Sequence, residues 1–211
     1  MENVLVAGAN GTTGKKIVNL LKNSQYFVPV AMVRKEEQQK QFKKDNIKTV
    51  LGDLEKDISH TVKDIDKIIF AAGSGGEKVI EVDQEGAKNL INEAKKANIK
   101  KFVMLSSMGA DKPEQSDELQ DYLKAKHNAD EYLKSTALVH SIVRPGSLTN
   151  DGGTGKIKLQ SKLNEKGAIS RDDVAQTLVR SLHDDSAKNE TFEIINGDTL
   201  IGKALDAVSV H

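Results

Sequence analysis

The chain has 211 residues, with 31 basic and 31 acidic side chains and no cysteine. Balanced charge gives no general field to draw in nucleic acid or an anionic membrane, and the missing cysteine removes disulfides, thiolate metal sites and cysteine nucleophiles together. The length suits one substantial core, so a single α/β domain over residues 1–211 is expected, and with no membrane-length apolar run or leader pattern a cytoplasmic protein is expected too.

Val4 to Ala7 is a short apolar run that delivers the chain into Gly8-Ala9-Asn10-Gly11-Thr12-Thr13-Gly14. After it Ile17, Val18, Leu20 and Leu21 recur at helical spacing. A helix leaves its first N–H groups unpaired, and a phosphate in the preceding turn satisfies them. Gly8 would permit the tight turn, Gly11 would let the backbone approach a pyrophosphate, and Gly14 would allow close packing of helix on strand. With 16 glycines in the chain, a G-x-x-G-x-x-G spacing arises by chance in about one such sequence in ten, so the flanking strand and helix give the motif its meaning.

The second apolar run, Val28 to Val33, ends at Arg34. Dinucleotide folds that select NAD place an acidic residue there, about twenty residues past the glycines, to bind the ribose hydroxyls. A guanidinium pairs instead with a 2′-phosphate, so NADP(H) is favoured over NAD(H). The alternative is that Arg34 and Lys35 merely begin a solvated helix. Ile47 to Leu51 is a third strand, and in the following Gly52-Asp53-Leu54 the Asp53 carboxylate suits either the adenine amino group or a helix cap. Ile68 to Ala72, Phe102 to Leu105 and Val139 to Val143 are further strands. Between them Gly86 to Ala97 carries Ala87, Leu90, Ile91 and Ala94 at helical spacing, and Asp121 to Lys134 carries Tyr122, Ala125, Ala129 and Leu133. Such alternation predicts a Rossmann-type doubly wound parallel sheet of about six or seven strands, with helices on both faces. Asn150 to Gly167, with Gly152, Gly153 and Gly155, reads as an irregular lid or substrate loop; Ser170 to His183 reads as a late helix and Thr191 to Ile195 as a final strand.

Taken in order, the glycine turn, Arg34, Gly52-Asp53-Leu54, Ala71-Ala72-Gly73, Asp83-Gln84-Glu85-Gly86 and Phe102 to Ala110 resemble one family. Tyr122-Leu123-Lys124-Ala125-Lys126, Ile142-Val143-Arg144-Pro145-Gly146 and Ile169 to Ala175 extend the likeness nearly end to end. It is the atypical branch of the short-chain dehydrogenase/reductase superfamily, small NAD(P)H-binding proteins similar to trimmed sugar-nucleotide epimerases and including NmrA-like and biliverdin-reductase-B-like members. The resemblance implies that Asn10, Gly11, Thr12 and Thr13 hold the pyrophosphate and Arg34 the 2′-phosphate. It places Asp53 and Leu54 at the adenine and Ala71, Ala72 and Gly73 beside the ribose. Leu105, Ser106 and Ser107, with Pro145, Gly146 and Leu148, would flank the nicotinamide.

In working enzymes of that superfamily a tyrosine and a lysine four residues later act with a serine or threonine after the fifth strand. Tyrosine near pKa 10 is a poor acid at neutral pH, and a neighbouring ammonium lowers that value while holding the nicotinamide ribose. Tyr122 and Lys126 have this i, i+4 spacing, and Ser107 stands where the polarising hydroxyl belongs. The competing reading makes Tyr122 an ordinary helix residue near the cofactor. Asp83 is a departure, since active relatives carry asparagine there to order a proton-relay water, although the Asp is shared within the branch. His60, His127, His140, His183 and His211 have no metal-site spacing, so no metal is expected, and no Gly-x-Ser-x-Gly elbow surrounds Ser106 or Ser107. The expected activity is NADPH-dependent reduction of a small carbonyl, quinone or flavin-like acceptor, with a flavin-type variant that needs no tyrosine. A non-catalytic NADP(H)-sensing binding protein is the alternative. An epimerase or dehydratase ranks lower, because only about 60 residues follow Asn150. The expected partner is a small-molecule acceptor, with no nucleic acid or membrane, for a monomer or homodimer.

Overall fold

The computed structural model describes residues 1–209, so His211 lies outside the described residues. The chain alternates β1 (Glu2–Ala7), α1 (Thr12–Lys22), β2 (Phe27–Val33), α2 (Glu36–Lys44), β3 (Lys48–Leu51) and β4 (Lys67–Phe70). A π-helical segment (Val79–Gly86) runs into α3 (Ala87–Lys96), followed by β5 (Lys101–Leu105), α4 (Gln120–Lys134) and β6 (His140–Pro145). The rest comprises β7 (Ser147–Thr149), β8 (Lys156–Gln160), β9 (Ala168–Ser170), α5 (Arg171–Arg180), β10 (Glu190–Asn196), β11 (Thr199–Leu200) and α6 (Ile201–Val208).

The main sheet has the order β11-β8-β10-β6-β5-β4-β1-β2-β3. From β10 to β3 all seven strands are parallel, which is the doubly wound sheet expected from the alternation. Successive side chains of a strand point to opposite faces. Val4 and Val6 therefore join one core with Ile17, Val18 and Leu21 of α1 and Val174 and Leu178 of α5. Leu5 and Ala7 join the other, with Leu90 and Ile91 of α3 and Ala129 and Leu133 of α4. Burial on both faces explains why the strands read as unbroken apolar runs.

Strand order reverses between β1 and β4, whose paired ends are Ala7 and Phe70. Ligands of such sheets bind in the crevice beyond the strand ends at this switch point. The fourth strand stops at Phe70, two residues earlier than the apolar run, which frees Ala71 and Ala72 to line that crevice.

The segment 150–167 departs from the expected irregular loop. Its Lys156–Gln160 forms β8, antiparallel to β10, and with β11 it brings the sheet to nine strands. Ile157 is fully buried, and the buried Asp173 carboxylate accepts hydrogen bonds from the N–H groups of Thr154 (3.0 Å) and Gly155 (2.7 Å). The alternation Lys156-Ile157-Lys158-Leu159-Gln160 is the strand signal there, masked by the glycines before it. Among the described residues no helix is long and apolar enough to cross a membrane.

Candidate nucleotide and reaction site

The glycine turn is fixed by packing before any ligand is considered. Gly8 has φ +85°, and a Cβ there would stand 2.5 Å from the Ala72 nitrogen, so side-chain-bearing residues are both strained and blocked. A Cβ on Gly14 would stand 2.0 Å from the Gly8 carbonyl oxygen, the close approach of helix to strand end that the spacing predicts. Gly11 begins α1 in extended conformation with no side-chain cap, which leaves first-turn N–H groups available to an anion.

A cavity of about 370 Å³ opens in front of this turn. It gathers Gly8, Asn10, Gly11, Arg34, Asp53, Leu54, Ala71, Ala72 and Gly73, contributed by the ends of four strands. Thr12, Thr13 and Gly14 lie behind the lining in the first turn of α1, Thr13 being buried. The Gln38 side-chain oxygen accepts from the backbone N–H groups of Arg34 (3.1 Å) and Lys35 (3.2 Å), which fixes the backbone where Arg34 emerges. Arg34 itself is exposed and, among the described residues, makes no ion pair. Asp53 both lines the cavity and accepts from the Glu55 N–H at 3.2 Å, so capping a turn and facing the adenine end are compatible roles.

The residues expected at the reaction end lie on α4 and after β5. Lys126 is buried, its Nζ 3.1 Å from Asp83 Oδ1 and 5.6 Å from the centre of the Tyr122 ring. Burial pushes this ammonium down, but Tyr122, Asp83 and Asp130 outweigh it and hold the group above the ordinary lysine value. Asp83 Oδ2 accepts from the backbone N–H (3.0 Å) and hydroxyl (2.7 Å) of Ser74. Four residues past Lys126, Asp130 Oδ2 accepts from Ser106 Oγ (2.8 Å) and from Arg144 Nε (2.9 Å), with Arg144 Nη2 at 2.8 Å. Burial raises the Asp130 carboxyl above its ordinary range in spite of Arg144 and Ser106.

Ser107 is half-buried, and its hydroxyl makes one long bond of 3.3 Å to the Met108 carbonyl, which a substrate oxygen can displace. Leu105, Pro145, Gly146 and Leu148 also lie beyond the nucleotide cavity. Two of the residues expected to flank the nicotinamide have other duties. The Ser106 hydroxyl is committed to Asp130, and Gly146 is required because a Cβ would stand 2.2 Å from the Gly167 carbonyl oxygen. Sequence reasoning gave no role to Ser74, Gln38, Asp130 or Arg144. The i, i+4 step from Lys126 is a signal that could have found Asp130; nothing local points to Ser74.

Residues 8–185 match the family described as NAD(P)H-binding. The chain belongs to that family. It is 41% identical over 210 residues to the Bacillus subtilis protein YhfK, named an uncharacterized sugar epimerase, covering 96% of this chain and 98% of that one. It superposes with a TM-score of 0.94 and 40% identity on a Bacillus halodurans protein assigned by name to the NAD-dependent epimerase/dehydratases, covering 98% and 100% of the two chains. The oxidoreductase YlbE of Lactococcus lactis gives a TM-score of 0.90 and 32% identity, over 99% of this chain and 97% of that one. The family's NAD(P)H fits the residues present: the uncapped turn at Gly11 suits the pyrophosphate, and the cavity beyond it has room for the adenosine half. Lys126 and Ser107 stand on α4 and after β5, the next elements along the crevice.

Proposed function

We propose that the chain is an NADPH-dependent oxidoreductase that reduces a small carbonyl, quinone or flavin-like acceptor. The observation that carries this reading is the buried Lys126 ammonium beside the Tyr122 ring, on the helix that follows β5, in a chain whose family binds NAD(P)H. Bound NADPH supplies a hydride to the electrophilic atom of the acceptor, leaving charge on the acceptor heteroatom. Ser107 donates a hydrogen bond to that atom, and the Tyr122 hydroxyl delivers the proton. Lys126 would stabilise the phenolate left behind and hold the nicotinamide ribose, while Asp83 keeps the lysine charged. Arg34, free of any acidic partner among the described residues, supports the preference for the 2′-phosphate.

The test is steady-state NADPH oxidation across a panel of carbonyl, quinone and flavin acceptors, with NADH alongside. Turnover that favours NADPH, with the preference falling about ten- to a hundredfold in Arg34→Asp, is the expected result. NADPH binding without turnover of any acceptor would favour an NADP(H)-sensing binding protein instead.

A further inference from the structure

We propose that Ser74, acting through Asp83, is a positioning residue for Lys126, so that the loop covering the cofactor cavity sets the lysine at the reaction end. The inference rests on the oxidoreductase reading for its meaning. Its physical basis is a short chain of buried contacts that the fold alone does not require.

Residues 73–78 leave β4 along the cavity wall, where Gly73, Ser74, Glu77 and Lys78 form part of the lining. At the crest Gly75 (φ +67°) and Gly76 (φ +95°) have nothing within 4 Å of an added Cβ. The loop is therefore held at its ends. On the adenosine side Lys78 Nζ meets both Glu55 carboxylate oxygens at 2.8 and 2.9 Å, a clasp between this loop and the one following β3. On the reaction side Ser74 gives both its donors to one oxygen of Asp83.

Asp83 is 1% exposed and lies in the π-helical segment, a conformation that is rare and recurs at functional sites. One of its oxygens holds the loop and the other faces Lys126, so a movement of Ser74 is passed to the lysine. The groups facing Lys126 are few. Tyr122 and Asp130 lie on its own helix, Asp83 on the π-helical segment and the Phe70 ring on β4, while Asp130 is already engaged by Arg144 of β6 and Ser106 after β5. Asp83 is thus the carboxylate through which another element can adjust the lysine. A cofactor in the cavity would meet the loop bearing Ser74, and through Asp83 that contact would reach Lys126.

The experiment compares Ser74→Ala with Glu55→Gln at the opposite end of the loop, reading the NADPH dissociation constant, kcat and its pH profile, and the Lys126 pKa by NMR. Lys126 must be charged to act, and without the Ser74 hydroxyl the Asp83 carboxylate is no longer held in place against the ammonium. Ser74→Ala is expected to lower kcat about tenfold, to displace the pH profile and to lower the Lys126 pKa read by NMR, with NADPH affinity changed less than about threefold. Ser74→Thr restores the wild-type profile. Glu55→Gln is expected to weaken NADPH binding and speed its release without moving the profile. In the wild type, NADP⁺ binding shifts the Lys126 pKa, and Ser74→Ala abolishes that shift. A wild-type profile in Ser74→Ala, or a Lys126 pKa that ignores both the cofactor and the substitution, would overturn the coupling. The NMR readout needs no acceptor, so failure of the oxidoreductase reading is told apart from failure of this one.

Discussion

Tyr122 is the residue on which catalysis and mere binding diverge. If its hydroxyl delivers the proton, Tyr122→Phe lowers kcat about 10²- to 10⁴-fold for carbonyl acceptors and leaves NADPH affinity intact. A flavin-type acceptor, which takes hydride without a protein acid, should lose far less, and comparing the two classes separates the mechanisms. Gly8 makes a stability prediction at the same scale. An added methyl must enter backbone at 2.5 Å while holding φ +85°, so Gly8→Ala is expected to cost about 1–3 kcal/mol in denaturant unfolding, before any effect on the cofactor. These positions were legible because their reasons are local: a spacing of four on one helix, or a turn between strand and helix. Ser74 and Arg144 were not, since their partners are Asp83 and Asp130, and only the tertiary fold brings those pairs together.

Among the elements, β4 and β5 each open on a lysine that the apolar pattern leaves unexplained. Lys67 and Lys101 are buried, and their ammonium groups donate to the carbonyls of Leu182, His183 and Ser186 in the turn after α5. Burial pushes Lys101 down to about 8, with the charge of Lys67 adding to the effect. The folded pKa lies below the ordinary lysine value of about 10.4, so between these limits the unfolded chain binds more protons. Stability from this group therefore rises as pH increases from about 8 toward 10. Urea midpoints across that window should climb more steeply in the wild type than in Lys101→Met, and parallel slopes would contradict the assignment. The same buried lysines show why strand starts were misjudged by a residue: a charge at a strand end reads as solvent-facing until the carbonyls that receive it are known. Strand β8 was hidden for another reason, because three glycines just before it made a regular alternation look like loop.

For the molecule as a whole, seven parallel strands were legible because burial on both faces leaves unbroken apolar runs, and the glycine turn marked which strand comes first. The antiparallel strands β8 and β11, at one end of the sheet, keep many side chains exposed, so they carry little of that signal. The fold brings the glycine turn and Arg34 to one crevice at the reversal of strand order, and the chain's family is NAD(P)H-binding. Whether the cofactor is spent or only sensed there is decided most directly with NADPH carrying deuterium at C4 of the nicotinamide, incubated with the wild-type protein and an acceptor it turns over. The account predicts deuterium on the carbinol carbon of a reduced carbonyl acceptor, with the transfer slowed in Tyr122→Phe, and for quinone and flavin acceptors, whose reduced O–H and N–H groups exchange with water, slower turnover of the deuterated cofactor than of the ordinary one. Tight NADPH binding with no oxidation of NADPH by any acceptor of the carbonyl, quinone and flavin classes, and no deuterium on any carbonyl product, would contradict it.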